Sequence, residues 1–395
     1  MSDRSRFSGR RIGAIAAAAL VAASMTVTAG SAVAAGPAVL GEISKNLTYR
    51  CTFPLVGPQD VTGAVRITLP DAGQAGVRIV PSDLSIDVEL SANIVGALRA
   101  FQTHHAEGTA VADVDTAYDG KQLTLGLPGL KIPRKDIPPS GTLKLAITGA
   151  MPDFVVYEAG SLSLAAGTQF NAKVDTRKAD NTPTALGVLN VPCVVKATTP
   201  PQDVLFANIP ISGSVAETAA RPVATPLGDI SKTLTYSCQF PDPVGPQDVT
   251  GTLTGTIPDS GKVGQRLQIT NLKIGAALND TITNELRSRQ MASVGGSGRA
   301  DVDADFEGTR LTIGIPGTVA PIAVPATGPM TGTITPDTPS LVFRQPGTVN
   351  VAAGQGLNGR IDGFKADGSS AGQLPLTCTV APGQDPHVAS VPITA

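Results

Sequence analysis

Acidic side chains recur at alternate positions in one stretch of the chain, where Asp301, Asp303, Asp305 and Glu307 precede Gly308. Carboxylate oxygens are the ligands that Ca²⁺ prefers, so this run is a candidate calcium site. Its spacing departs from an EF-hand loop, in which glycine directly follows the third acidic position. Alternate residues of a strand share one face, and we therefore expect a solvated acidic face, with no metal assigned.

The sequence GSSAG at residues 368–372 matches the G-x-S-x-G motif, which would make Ser370 the nucleophile of a hydrolase. That chemistry needs a buried strand before the serine, a helix after it and a histidine base. The flanking residues favour a loop instead. The three histidines are His104, His105 and His387, and we expect the first two to form a surface pair. We therefore predict no catalytic residue.

The chain is a tandem duplication. The segment LGEISKNLTYRCTFP at residues 40–54 returns as LGDISKTLTYSCQFP at residues 227–241. Residues that carry an activity of the module itself should occur in both copies. Ser370 and the histidines have no counterpart in the other copy, so we expect a protein that is not an enzyme and that binds no cofactor.

Further matches extend the duplication along most of the chain, for example LTLGLPG at residues 123–129 with LTIGIPG at residues 311–317. These matches predict a first repeat at 36–212, a linker at 213–224 and a second repeat at 225–395. The remaining residues, 1–35, form the predicted signal peptide. The linker is short, small and polar. We expect each repeat to fold alone.

The four cysteines lie one near the start and one near the end of each repeat, at Cys51, Cys193, Cys238 and Cys378. Three pairings are possible. The duplication favours Cys51 with Cys193 and Cys238 with Cys378, because a module that folds alone must satisfy its own cysteines. No C-x-x-C spacing indicates a redox or metal pair.

Short runs of Val, Thr, Ile and Leu are separated by 43 Gly and 32 Pro, a composition typical of strands joined by turns. The predicted fold is all-β: two tandem immunoglobulin-like β-sandwiches, each with one short helix and one disulfide within the domain. The helices are predicted from leucine and isoleucine spaced by four, at Leu90–Leu98 and Leu278–Leu286, and we expect them to pack on the strands. Ser91 is placed to cap the first helix, and Asn279 or Asp280 the second. Tyr49 and Tyr236 precede the first cysteine of each repeat by two residues, which predicts a core role beside each disulfide.

The first 35 residues are typical of a secretory signal, because two arginines precede an apolar run that ends in Ala-Val-Ala at residues 32–34. Its removal changes the formal net charge from −2 to −5, so no basic surface for nucleic acid is implied. We expect an extracellular protein with no integral membrane segment after cleavage, and disulfides agree with that compartment.

The motif L-T-Y-x-C-x-F-P, followed by G-x-Q-x-V and a distal cysteine, resembles an uncharacterised domain of unknown function found in secreted actinobacterial proteins. The resemblance implies an extracellular actinobacterial protein and transfers no catalytic residue.

The function favoured by the sequence is a secreted, non-enzymatic module with a binding or structural role at or near the cell surface, where its partner would be a cell-wall or surface component. An extracellular carrier of an apolar ligand such as a lipid is the alternative, and it requires an interior cavity. A serine hydrolase that uses Ser370 is the third choice.

Overall fold

The computed structural model describes residues 39–215 and 227–395, and residues 37–395 form one compact unit. The predicted signal peptide at 1–35 and most of the predicted linker at 213–224 fall outside the described residues. The boundaries of the two repeats stay a prediction.

The first repeat consists of strands and one short helix. In chain order these are β1 (Val39–Phe53), β2 (Gly57–Pro70), β3 (Gly73–Gln74), β4 (Ser82–Leu90), α1 (Ala92–Ala100), β5 (His105–Tyr118), β6 (Lys121–Asp136), β7 (Leu143–Thr148), β8 (Asp153–Val156), β9 (Gly160–Arg177), β10 (Pro183–Val195) and β11 (Leu205–Ser212).

The second repeat repeats this order, with one additional strand. Its elements are β12 (Gly228–Gln239), β13 (Pro246–Ile257), β14 (Gly261–Lys262), β15 (Arg266–Leu267), β16 (Thr270–Leu278), α2 (Asp280–Ser288), β17 (Ser293–Phe306), β18 (Thr309–Ala323), β19 (Met330–Pro336), β20 (Ser340–Phe343), β21 (Gly347–Phe364), β22 (Ser370–Val380) and β23 (His387–Thr394).

Hydrogen bonding closes the principal strands of each repeat into a ring. In the first repeat the antiparallel neighbours run β1-β2-β4-β7-β6-β5-β9-β10 and return to β1. In the second they run β12-β13-β16-β19-β18-β17-β21-β22 and return to β12. Closure satisfies the edges that an open sheet would leave unpaired. The mostly-β class and the two similar β-sheet domains are confirmed.

Both helices begin at side-chain caps. Ser91 Oγ accepts from Ile94 N at 3.4 Å, and Asn279 Oδ1 accepts from Ile282 N at 3.0 Å, which satisfies a backbone donor at each helix start. Ile94 and Ile282 are buried in the apolar cores, as is the next turn of each helix. The predicted packing of both helices on the strands is confirmed, and the caps are Ser91 and, in the second repeat, Asn279.

The disulfides join Cys51 to Cys193 and Cys238 to Cys378. Each links residues directly opposite one another, in β1 and β10 of the first repeat and in β12 and β22 of the second. One disulfide in each repeat, between an early strand and a late strand, is therefore confirmed.

The repeats also exchange strands with one another. Strand β8 of the first repeat pairs with β18 of the second, and β20 of the second repeat pairs with β6 of the first. All four residues of β8 are buried, and Phe154 is wholly inaccessible to solvent. We call β8 and β20 the exchanged strands.

Exchange joins the two cores. Leu311, Ile313 and Ile315 of the second repeat belong to the apolar core built around the first. Neither core is self-contained, because a strand of each repeat is buried on the other. This arrangement argues against the expectation that each repeat folds alone. Local strand patterns do not reveal which ring a short strand joins.

Among the described residues, neither helix has the length and apolar character needed to cross a membrane.

Candidate functional site

Carboxylates that occur in both repeats are buried where the repeats meet. Asp113 and its counterpart Asp301 are each 7% exposed, and Asp303 is 6% exposed. The expected solvated acidic face is therefore wrong for these residues, because arginines pair with them. Among the residues that the structure describes, no group of three or more His, Cys, Asp or Glu side chains could hold a metal ion.

Asp153, at the first position of β8, is fully buried against the second repeat. Arg78 donates from Nη1 to Asp153 at 2.8 Å and from Nη2 to Asp301 at 2.6 Å, so one guanidinium bridges both repeats. Arg299 donates to the other oxygen of Asp153. Gly314 lies opposite Asp153 in the β8–β18 register, and a Cβ there would stand 1.7 Å from Oδ1. The glycine therefore makes room for the ion pair.

A related contact joins the repeats in the opposite direction. Arg266, the counterpart of Arg78, donates from Nη2 to the two oxygens of Asp113 at 2.7 and 2.8 Å. Its Nη1 donates to Ser340 Oγ at 3.0 Å. Ser340 lies opposite Gly126 in β20–β6, as Asp153 lies opposite Gly314. The two contacts are thus related by the duplication.

Burial dominates the electrostatics of these carboxylates. It raises the pKa of Asp153 above the usual range, while the Arg299 and Arg78 guanidiniums oppose the shift. Burial also raises the pKa of Asp113, against the opposing effect of Arg266. A buried charge that loses its partner is strongly destabilising, so these arginines are structural partners of the exchanged strands.

A second set of polar contacts follows each exchanged strand. Tyr157, just after β8, bonds through Oη to Thr312 Oγ1 at 2.7 Å, and the Arg310 guanidinium lies 4.2 Å from its ring centroid. Arg310 also pairs with Asp303. After β20, Arg344 instead donates to Thr124 Oγ1 at 2.9 Å. Different residue types therefore occupy equivalent positions in the two contacts.

A cleft of about 830 Å³ lies between the repeats, and its walls combine charged and polar side chains with apolar surface. We call it the inter-repeat cleft. Its charged and amide side chains are Asp83 and Lys131 from the first repeat and Arg299, Asp337, Asn358 and Arg360 from the second.

Two of these side chains carry an unsatisfied polar atom. Arg299 Nε and Asn358 Oδ1 are buried without a hydrogen-bond partner, and the two residues lie directly opposite in β17 and β21. Native proteins leave few such atoms unpaired, but both are inaccessible to solvent, so the candidate binding surface consists of the accessible charged and polar side chains of the cleft.

The ring interiors contain much less space. In the first repeat an apolar cavity of about 60 Å³ is lined by Tyr49, Phe170 and the disulfide Cys51–Cys193. In the second, the cavity measures about 30 Å³ and adjoins Tyr236. Cavities of about 150 Å³ hold one benzene-sized molecule. Neither interior is large enough for a lipid.

The core role predicted for the tyrosines agrees with the structure. Tyr49 packs on Phe170 with ring centroids 5.9 Å apart, and burial, with a smaller effect of Asp113, raises its pKa to about 12. Tyr236 is half-buried, and burial raises its pKa as well.

The histidines are not gathered into a catalytic site. His104 is exposed but His105 is buried, so the expected surface pair is wrong. His105 Nε2 bonds to Asn181 Oδ1 at 2.8 Å, and Arg134 Nη2 donates to its Nδ1 at 3.2 Å. The sequence gives no signal for this contact, since Asn181 comes from a distant turn.

Ser370 begins β22 and is exposed, and its Oγ accepts from Gly372 N at 3.3 Å. The helix that the nucleophile motif requires does not follow it. Ser370 follows a turn and is the first residue of β22, where the flanking residues favour a loop.

A serine–histidine pair occurs elsewhere, in β23. His387 Nε2 lies 3.4 Å from Ser390 Oγ, but Ser390 donates to Asn350 Oδ1 at the shorter distance of 2.8 Å. Asp385 accepts from the backbone N of His387 and pairs with Lys232, so its two oxygens are directed to groups other than the imidazole. This arrangement lacks the serine–histidine–carboxylate order of a catalytic triad.

Comparison with solved structures finds a protein from Corynebacterium diphtheriae that bears the name "putative membrane anchored protein", with 10% sequence identity over 90% of this chain and 97% of that chain. The TM-score is 0.26, which does not establish a shared fold. Comparison with curated proteins gives no match.

A family model matches both repeats, at residues 48–207 and 235–389. The matched segments contain both exchanged strands and the cysteine pair of each repeat. The predicted resemblance to a domain of unknown function is confirmed, and the chain belongs, with two copies of the domain, to the family of unknown function DUF6801.

Proposed function

We propose that the protein is a secreted, non-enzymatic module with a binding or structural role at or near the bacterial cell surface. Two features support secretion: the signal-like sequence at 1–35, and a disulfide within each repeat, which suits an oxidising compartment. The signature motif resembles domains of secreted actinobacterial proteins, which supports secretion from an actinobacterium.

The inter-repeat cleft carries the binding part of the proposal. With about 830 Å³, it exceeds the ring interiors of about 60 and 30 Å³ by more than tenfold. Ligand sites usually range from about 300 to 1,000 Å³. Strand exchange fixes both walls, because each wall belongs to a repeat whose exchanged strand is buried in the other.

The cleft suits a polar ligand. Lys131, Arg299 and Arg360 offer cationic donors, Asp83 and Asp337 offer acceptors, and glycines bring the backbone to the surface. This mixture of donors and acceptors matches a hydrogen-bonding cell-wall component, such as a glycan or a peptide stem. The ring interiors are too small for an acyl chain, and both cleft walls carry charged side chains, so the alternative of an apolar carrier has less support.

A sedimentation assay tests the cleft. Purified protein is mixed with insoluble cell walls isolated from an actinobacterium, and the pelleted fraction is compared with that of the double variant Lys131→Glu/Arg360→Glu. Both side chains are exposed, so the fold should persist. Lys173→Glu/Lys365→Glu, also exposed and outside the cleft, is the charge-matched control.

We expect the cleft variant to lose at least about tenfold in affinity for the walls, while the control binds as wild type does. Equal binding by both variants would remove the cleft from the proposal. No sedimentation of the wild-type protein would refute binding to cell walls.

The non-enzymatic part of the proposal has its own test. We expect a fluorophosphonate probe to label neither wild-type protein nor Ser370→Ala and Ser390→Ala. Labelling that one of these substitutions abolishes would promote the hydrolase.

A further inference from the structure

The exchange interface contains a shared part and a part that differs between the repeats. The shared part consists of the Arg78–Asp301 pair and its counterpart Arg266–Asp113. Both exchanged strands also use the same register, with Asp153 opposite Gly314 and Ser340 opposite Gly126. Since these features are equivalent, they alone would allow any repeat to pair with any other.

The first difference concerns a buried charge. Asp153 of the first repeat corresponds to Ser340 of the second, and its partner Arg299 corresponds to Val111. In the chain, the buried carboxylate therefore meets the repeat that carries Arg299. Ser340, which has no charge, meets the repeat that carries Val111.

The second difference follows the exchanged strands. Tyr157 corresponds to Arg344, and Arg310 corresponds to Gln122. The aromatic ring meets the repeat with Arg310, which stacks on it at 4.2 Å. Arg344 meets the repeat in which glutamine replaces that arginine, and it lies 3.6 Å from Asp115.

Pairing two identical repeats in the same register would lose two contacts, the Asp153–Arg299 ion pair and the stacking of Arg310 on Tyr157. Two first repeats would bury Asp153 beside Val111, so the carboxylate would lose one of its two arginines. Two second repeats would place Arg344 beside Arg310, which already pairs with Asp303. An unmatched buried charge and adjacent like charges both disfavour association.

We propose that the two repeats have diverged into complementary partners, so that a first repeat pairs with a second repeat in preference to another copy of itself. The exchange surface is then a specific interface for one partner. The linker raises the local concentration of that partner but does not determine its choice.

The test begins with the full chain. A protease site is inserted after Ala219, and the purified protein is cleaved there, so that each half keeps its own disulfide. We expect the halves to stay together as a 1:1 complex in native mass spectrometry. The complex is then unfolded without reductant and refolded as a mixture.

Random pairing would give two mixed complexes for every homodimer of each kind. We expect the mixed complex to exceed this ratio by at least about tenfold. A statistical ratio, an excess of homodimers, or separation of the native halves on cleavage would overturn the proposal.

The intact chain supplies an independent test that needs no refolding. The variants are Asp153→Ser, Arg299→Val and the two combined. Each substitution introduces the residue found at the equivalent position of the other repeat, which is Ser340 for Asp153 and Val111 for Arg299. We expect each single variant to lower the melting temperature and the double variant to recover at least half of the summed loss. Additive losses would mean that the two residues are not matched, and they would overturn the proposal.

Discussion

The guanidinium of Arg78 and the carboxylate of Asp301 lie 2.6 Å apart, between Nη2 and Oδ2, although the two residues belong to different repeats. Arg266 makes the reciprocal contact with Asp113 at 2.7 Å. The exchanged strands are reciprocal in the same way, since each pairs with the ring of the other repeat. A substitution that weakens the interface in one repeat should therefore destabilise strands of the other repeat.

Phe154→Ala tests this coupling. The ring is fully buried in β8 opposite Ile313, so its removal should cost about 3–5 kcal/mol of the free energy of unfolding. Hydrogen exchange should accelerate in β18 of the second repeat. Phe101→Ala, at a ring that is 41% exposed, is the control and should change stability by less than about 1 kcal/mol. Unchanged exchange in β18 would show that the repeats are not coupled there.

Gly314→Ala tests whether the position opposite Asp153 must lack a side chain. Its Cβ would collide with Asp153 Oδ1 and lie 2.7 Å from Arg299 Cδ, so we expect a loss of at least about 2 kcal/mol. Gly96→Ala is the matched control, because Gly96 is inside α1 with open space around its Cβ. That substitution should stabilise the protein by about 0.5–1 kcal/mol. Chemical denaturation measures both, and a neutral Gly314→Ala would contradict the packing described.

Reciprocal substitutions at one equivalent pair should have unequal effects. Tyr157→Arg removes the stacked ring and places a second cation beside Arg310, which should cost about 2–3 kcal/mol. Arg344→Tyr removes a side chain that is 40% exposed, and should cost less than about 1 kcal/mol. Equal losses in thermal unfolding would mean that the residue types at these positions are interchangeable.

His387 should make stability depend on pH. Burial, together with a smaller effect of Lys232, holds its pKa below the ordinary 6.5, against the opposing effect of Asp385. The unfolded state therefore binds a proton first, so this contribution to stability is present above pH 6.5 and is lost as pH falls through the folded pKa.

His387→Leu introduces the residue found at the equivalent position of the first repeat, Leu205. Between about pH 7 and pH 5 the variant should lose less stability than wild type does in urea unfolding. Parallel pH profiles of the two proteins would show that His387 does not titrate differently in the folded state.

Local patterns predicted the elements of each repeat well. The caps Ser91 and Asn279 and the pairing of Cys51 with Cys193 follow from short-range rules and from the duplication. These features depend on neighbours in sequence or on equivalent positions in the two copies.

Contacts between the repeats were not predictable in the same way. Asp301 and Asp303 alternate like the residues of a solvated strand face, and only the partner repeat, with Arg78 and Tyr157, shows why they are buried. The sequence did contain one indication of these contacts, since Arg78 and Arg266 occupy equivalent positions in the two repeats. An arginine present in both repeats does not, however, identify the carboxylate that it binds. Strand β8 is equally ambiguous, because an aspartate followed by three apolar residues fits the edge of either ring.

Differential scanning calorimetry of the intact, oxidised protein tests most directly the claim that the two repeats form one folded unit. Since the exchanged strands join the cores, we predict a single transition whose calorimetric enthalpy equals the van 't Hoff enthalpy, and a shift of the whole transition in Phe154→Ala. Two separate transitions, of which Phe154→Ala moves only one, would contradict the claim.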